Sequence, residues 1–314
     1  MEMAFEEFVE AFREKLLKTT GFEEKQIYYK KKEEFPPTAG DRLLVRRAES
    51  DGVSEVCALY VHDLYEEYQD GYSMETLVRE VARRLENLSR ANLLEKAQSL
   101  EDYEKIQKNL FIRLINRERN EEELKESVYR TVGDIALVLY AHMGEVDGCP
   151  ASMKIKKYML RNWDKKEDKV FEEALKNTSE LSPPKIYCWE KLLFDSGYEG
   201  DNFMSILADY PIRKDAVGNC LSTTKRTNGA VAIFLPGVAD RIARLMRSSF
   251  YMVFTSVHEV MIHNAQISDP EDLRCVLEDT VRNTTPEDDF LTLHIYYYDK
   301  DSGTFACCGE EKGA

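Results

Sequence analysis

The sequence predicts an α+β fold: mainly antiparallel sheets with flanking amphipathic helices, in two lobes. Three observations predict it. The stretch Asn228–His263 reads as strand, helix, strand, strand, the densest apolar signal in the chain. Val128–Thr131, Asp134–Met143 and Ser152–Lys156 read as an antiparallel meander. Ser182-Pro183-Pro184 is the best break in the pattern, dividing the chain into lobes 1–181 and 182–314, with one bilobed domain as the alternative.

Taken in order, Phe5, Phe8, Val9, Phe12 and Leu16 recur at helical spacing up to Gly21, giving an amphipathic first helix that docks on a core or meets a partner. Gln26–Lys32 and Arg42–Arg47 read as strands joined by Pro36-Pro37-Thr38-Ala39-Gly40. The run Val56–Val61 passes into a helical segment that Asp70-Gly71 stops. Ser73 then caps a helix carrying Leu77, Val81, Leu85 and Leu88, because its hydroxyl can accept a bond from a first-turn amide. Asp102–Lys108 and Glu121–Glu126 are short helices, Leu110–Ile115 is an interior strand apolar on both faces, and Gly144 to Pro150 is a turn-rich connector. Val170, Phe171, Ala174 and Leu175 mark a helix ending at Asn177, Trp189–Phe194 a helical turn or two, and Ser196–Asp215 a long surface loop. In the second lobe Ala230–Leu235 reads as a strand, and Val238, Ile242, Leu245 and Met246 as one face of a helix. Asp269 and Pro270 open a later helix with Leu273, Val276, Leu277 and Val281 inward. Leu291–Tyr298 reads as a strand with an aliphatic core face and a polar aromatic face, Thr292, His294, Tyr296 and Tyr298, that is an exposed sheet surface or a pocket wall.

Composition narrows the function. The formal net charge of −15 disfavours nucleic acid and anionic membranes as partners. The longest apolar run, Ile135–Met143, is far short of a membrane span, and the acidic start does not resemble a secretory signal, so the expected location is cytoplasmic. Seven scattered cysteines with no Cys-x-x-Cys argue against a disulfide framework and a zinc ribbon. The adjacent Cys307 and Cys308 read as thiols at a strand end.

Several strings resemble a family of uncharacterised proteins, a domain of unknown function from anaerobic gut Firmicutes and Clostridia. They are Tyr68-Gln69-Asp70-Gly71, Arg113-Leu114-Ile115-Asn116 with Asn120, Asp134-Ile135-Ala136, Asn177-Thr178, Gly229-Ala230, Pro236-Gly237-Val238, Ser256-Val257-His258-Glu259-Val260 and Tyr296 to Asp299. The sequence departs from that pattern at Thr255, where proline is expected, and at Leu235, where tyrosine is expected. The resemblance implies a fold and a host class and supplies no catalytic residue.

Two constellations are candidate sites. His258-Glu259-Val260-Met261-Ile262-His263 invites a zinc-protease reading, but its histidines are five apart, about 140° around a helix, where that site needs four. On a strand they fall on opposite faces, as do His258 and Glu259. No metal and no cofactor are expected. Ser256 and His258 share a strand face and, with His294, form the candidate catalytic set of a hydrolase-like enzyme, although no Gly-x-Ser-x-Gly elbow surrounds Ser256. The alternative is a turn serine and a hydrogen-bonded histidine. Arg241, Arg244 and Arg247, with Lys225 and Arg226, are the densest basic cluster. They compensate a helix dipole or bind a protein or a small anionic ligand. The leading reading is a non-catalytic binding or interaction module, with the enzyme as its rival.

Overall fold

A computed structural model describes residues 3–30, 41–50, 53–90, 100–146, 149–195, 197–205 and 210–308. The chain divides into two compact units: 1–102 with 142–153, and 103–141 with 154–314. Ser182-Pro183-Pro184 lies inside the second. The described residues form helices and three antiparallel sheets, an α+β fold.

In the first unit, helix α1 (Phe5–Thr20) buries Phe8, Val9, Phe12 and Leu16 and ends at Gly21 in the left-handed region. Strands β1 (Ile27–Lys30), β2 (Arg42–Ser50) and β3 (Val53–Tyr60) pair in that order. The Pro36-Pro37-Thr38-Ala39-Gly40 link lies outside the described residues, as do Lys31 and Lys32 at the end of the first expected strand. Helix α2 (Val61–Gln69) follows β3 directly. Helix α3 (Met74–Arg90) begins as expected, with Ser73 Oγ accepting the Thr76 amide at 3.2 Å. The apolar faces of α1 and α3 close one core with Ile27, Leu43 and Val45.

The second unit opens with α4 (Tyr103–Ile106), β4 (Leu110–Asn116), α5 (Glu121–Leu124), β5 (Tyr129–Val132) and the first part of β6 (Ile135–Val146), whose residues from 142 on belong to the first unit, as does β7 (Cys149–Lys154) up to residue 153. The strands of the expected meander pair in succession, β5 with β6 and β6 with β7, but β4 joins β6 as well, so that the order is β4-β6-β5. Every residue from Ile135 to Ala141 is buried, and such a strand belongs in the middle of a sheet. The expected connector from Gly144 to Pro150 is therefore mostly strand, with residues 147–148 outside the description. Strand β4, expected as interior, lies at an edge. Helix α6 (Lys157–Asn162) precedes α7 (Glu167–Leu181), which runs past its expected end at Asn177 and covers that edge. Thr178 Oγ1 accepts the Ile112 amide at 3.0 Å, and Asn177 Nδ2 donates to the Leu110 carbonyl at 3.0 Å, so β4 keeps no open ladder there.

The remaining elements are β8 (Pro184–Tyr187), α8 (Trp189–Phe194), β9 (Asn219–Thr223), α9 (Val238–Met246), β10 (Phe250–Ser256), β11 (Glu259–Asn264), α10 (Pro270–Thr284), β12 (Tyr296–Asp299) and β13 (Thr304–Cys307). The strands make one six-stranded sheet in the order β13-β12-β10-β11-β9-β8. Sequence patterning misses β8 and β9; β9 is buried along its whole length and lacks alternation. Ala230–Leu235 is a correction: Gly229–Phe234 forms a 3-10 helix, not a strand. A short run buried on every side carries no period to separate the two. Its Gly229 is required, because a Cβ there would lie 2.0 Å from Ser222 Oγ. In α10, Leu277 is fully buried as expected, whereas Val276 is 64% exposed.

The expected strand over Leu291–Tyr298 begins only at Tyr296. Leu291 and Ile295 are buried as expected, but Leu293, expected in the core, is 40% exposed, and Thr292, Tyr296 and Tyr298 of the polar aromatic face are buried as well. Asp134 draws Thr292 and Tyr296 inward. Its Oδ1 accepts from Tyr296 Oη at 2.5 Å and from Thr292 Oγ1 at 2.8 Å, and its Oδ2 accepts from Asn116 Nδ2 at 3.2 Å. Asn116 Nδ2 also donates to the Leu291 carbonyl at 2.8 Å. A buried carboxylate needs such donors, and drawing Thr292 inward bends 291–295 out of strand geometry. Burial, then the Asp134 carboxylate, raises the Tyr296 hydroxyl far above the ordinary phenol range, so it stays protonated and donates. Gly133 opens the two-residue turn between Val132 and Ile135 at φ +56°, the conformation of a hairpin with glycine first, and a Cβ there would meet Tyr296 Oη at 2.6 Å. Tyr296→Phe is expected to destabilise the protein by about 1–3 kcal/mol, the scale of an unsatisfied buried acceptor. Urea unfolding measures this, and an unchanged midpoint would remove Asp134 as an organising group.

Candidate functional site

Alternation along β10 and β11 gives the six-stranded sheet two different faces. Phe250, Met252 and Phe254 with Val260 and Ile262 are buried on one. Tyr251, Val253 and Thr255 with Glu259, Met261 and His263 lie on the other. Helix α10 packs on this second face through Leu277 against Val253 and Ile295, with Leu273, Val281 and Met261 around them. Between α10, the floor of β10 and β11, and Ala216–Val217 lies a cleft of about 660 Å³. Its apolar part is Val253, Met261, Leu273 and Leu277; its polar end holds Ser256, His258, Glu259 and Asp289.

Ser256-Val257-His258-Glu259 is the turn joining β10 to β11, with Ser256 and Glu259 paired across it. Neither central residue has the positive φ that glycine or asparagine supplies in common two-residue hairpins. Bonds from outside hold the turn instead. The Val257 amide donates to the Asp289 carbonyl at 2.9 Å, and the Val257 carbonyl accepts the Ala230 amide at 3.1 Å. His258 Nδ1 accepts the Asn228 amide at 3.0 Å, and His258 Nε2 meets Asp289 Oδ1 at 3.1 Å. A nitrogen that accepts an amide carries no proton, so the ring is the Nε2–H tautomer with its donor aimed at Asp289.

The candidate catalytic residues are not joined into a relay. Ser256 Oγ accepts the His258 backbone amide at 3.0 Å, a turn bond, while the His258 ring faces Asn228 and Asp289. His294 is exposed and does not line the cleft; its amide donates to Thr292 Oγ1 at 2.9 Å. His258 and His263, expected on opposite strand faces, both line the cleft because His258 sits in the turn rather than on the strand. Glu259 lines it too. It accepts from Thr255 Oγ1 at 3.0 Å and from Cys220 Sγ at 3.5 Å rather than pairing with His258. Burial, then the Glu259 carboxylate, pushes the Cys220 thiol well above the ordinary range, which keeps its proton on that bond. Among the described residues, no group of three histidine, cysteine or carboxylate side chains is placed to hold a metal ion.

The basic cluster is dispersed in its bonding. Arg241 donates from Nε to the Phe203 carbonyl at 3.0 Å and from Nη2 to the Ser205 carbonyl at 2.8 Å, which ties residues 203–205 to α9. Arg244 is exposed and donates to the Asp240 carbonyl at 3.3 Å. Arg247 ends α9 in the left-handed region at φ +59° and is exposed. Lys225 and Arg226 are exposed in the turn after β9, Arg226 at φ +55°.

The residues that sequence reasoning missed are Asp289, which faces His258, and His263, which it treated only as a metal-ligand candidate. His263 is 8% exposed, and its Nδ1 has no hydrogen-bond partner among the described residues. Burial lowers its pKa, against a bond to the Ala216 backbone that raises it. Gly218, at φ +77°, makes room for the ring, since a Cβ there would lie 2.8 Å from Nδ1.

Because the folded value lies below the ordinary 6.5, the unfolded chain takes up the His263 proton first as pH falls. This component of stability is present above that value and declines as pH drops through it. Between about pH 8 and about pH 5, wild type is expected to lose more stability than His263→Gln. Urea titrations at both pH values check this, and equal losses would contradict it.

No helix among the described residues is long and apolar enough to cross a membrane. No curated protein and no solved structure matches the chain. Residues 5–300 match the model of a family of unknown function (DUF5688), a span that takes in the Asp134 network and the whole cleft, and the chain belongs to that family.

Proposed function

We propose that this protein is a non-catalytic binding module whose cleft beneath α10 takes a small ligand. The carrying observation is the cleft itself. A volume of about 660 Å³ with an apolar floor and a few convergent polar groups at one end has the size and composition of ligand sites. It sits on a sheet and a helix, which position side chains more firmly than loops. The rival reading, a hydrolase at Ser256, His258 and His294, has less support. Nucleophilic catalysis needs a serine bonded to a base and the base oriented by an acid. Here an acid faces His258, but the serine hydroxyl accepts a backbone amide and the other imidazole nitrogen is occupied. A reducing cytoplasm is the compartment this reading assumes, in keeping with scattered cysteines and no Cys-x-x-Cys.

Thr280 lines the cleft from α10, and its hydroxyl bonds only within the helix, to the Val276 carbonyl at 2.8 Å. Thr280→Trp is therefore expected to fill the cleft and keep the fold. In a thermal-shift screen of small molecules, compounds that raise the wild-type midpoint should lose their effect on this variant. Hits that stabilise both equally, or no compound that distinguishes them, would remove the cleft from the functional account.

A further inference from the structure

We propose, on the binding reading above, that the ligand of this cleft is an organic cation: an amine whose N–H groups face Glu259 and Asp289 and whose apolar body lies against Val253, Met261, Leu273 and Leu277. The argument is a balance of donors against acceptors. Among the described residues no lysine or arginine lines the cleft, and the charged side chains there are two carboxylates. Its threonine hydroxyls already donate elsewhere: Thr280 to the Val276 carbonyl, Thr284 to the Thr280 carbonyl, Thr285 to the Thr255 carbonyl and Thr255 to Glu259. The His258 Nε2 proton is directed at Asp289, and the Cys220 thiol proton at Glu259. Apart from the Ser256 hydroxyl, which accepts the His258 amide, these side-chain donors are thus committed.

The acceptors are not. A carboxylate offers about four lone-pair sites, and Glu259 uses one on Thr255 and one on Cys220. His263, on the same face of β11 as Glu259 and Met261, lines the cleft as well but is more than nine-tenths buried, with Nδ1 shut in beside Gly218. The charge that the cleft turns to a guest is therefore that of its two carboxylates, and two carboxylates with no lysine or arginine in the described lining ask for a positive, donor-rich guest. The apolar walls then select an organic cation over a metal ion, because valine, leucine and methionine side chains give a hard cation no oxygen ligands.

Isothermal titration calorimetry at low salt with hexylamine, hexan-1-ol and hexanoate separates the possibilities, because the three share one apolar body. Hexylamine is expected to bind wild type at least about tenfold more tightly than hexan-1-ol, a factor worth about 1.4 kcal/mol, with hexanoate weakest. Glu259→Gln keeps an acceptor for Thr255 and removes the charge, so it should erase most of that preference. Asp289→Asn provides a second charge removal if the first variant loses its fold by circular dichroism. Cleft-dependent binding of hexan-1-ol or hexanoate as tight as that of hexylamine would overturn the cation and leave the binding cleft standing. Hexylamine binding that survives Thr280→Trp, or no cleft-dependent binding of any of the three, would overturn both.

Discussion

The second unit is built around one buried carboxylate. Asp134 occupies the turn between β5 and β6, where Gly133 supplies the one φ that the turn needs. Its oxygens collect donors from Asn116, Thr292 and Tyr296, and its amide donates to Tyr296 Oη at 3.1 Å. Tyr296 Oη also lies 3.0 Å from the Val132 carbonyl, the second acceptor its single proton could serve. A carboxylate stripped of water is expensive unless its bonds are made, so this arrangement forms as a set or not at all. It locks β12 of the six-stranded sheet to the hairpin of the smaller sheet. Everything else in the unit is compatible with that lock: the bend over 291–295, the inward tyrosines, the edge-to-face contact of Phe254 with Tyr296 and the stacking of Phe250 on Tyr298.

The cleft is a consequence of incomplete covering. Helix α10 lies on β10 and its neighbours, and Ala216–Val217 reach the face from the other side. Between them the sheet presents Glu259 and Met261, half-buried, while His263 is covered beside Ala216. The turn at its end has no local reason to be tight, because valine and histidine are poor central residues for a two-residue hairpin. Bonds to Asn228, Ala230 and Asp289 hold it. That outside support positions His258 and Asp289 at the polar end of the cleft and also commits the imidazole nitrogens, which is why the geometry suits recognition better than acid–base chemistry.

Much of the scaffold was legible in the sequence. Helix α1 follows from Phe8, Val9, Phe12 and Leu16 and its glycine stop, α3 from its serine cap, and α10 from Asp269, whose Oδ1 accepts the Glu271 amide at 2.8 Å. The paired strands after Arg247 follow from two apolar runs. The candidate site was legible only in part. Ser256, His258 and Glu259 stood out as a string, but their partners Asp289, Asn228, Thr255 and Cys220 are bound to them by folding alone. Two of the errors share a cause. Ala230–Leu235 and β9 are buried almost throughout, and a residue buried on all sides shows no alternation between wet and dry faces.

What the sequence determined by itself is the identity of the amphipathic elements, since periodicity, caps and glycine stops are local properties of the chain. It determined as well that this is an acidic α+β protein, and its strings carry the resemblance to the family that residues 5–300 match. Tertiary structure alone decided the order β4-β6-β5, the inward turn of Thr292 and Tyr296, and the sharing of one cleft by His258, His263 and Glu259. The physical reason is distance along the chain. Asn116, Asp134 and Tyr296 are joined by hydrogen bonds that no local pattern encodes, and a buried polar group selects its partners only when the whole core closes around it.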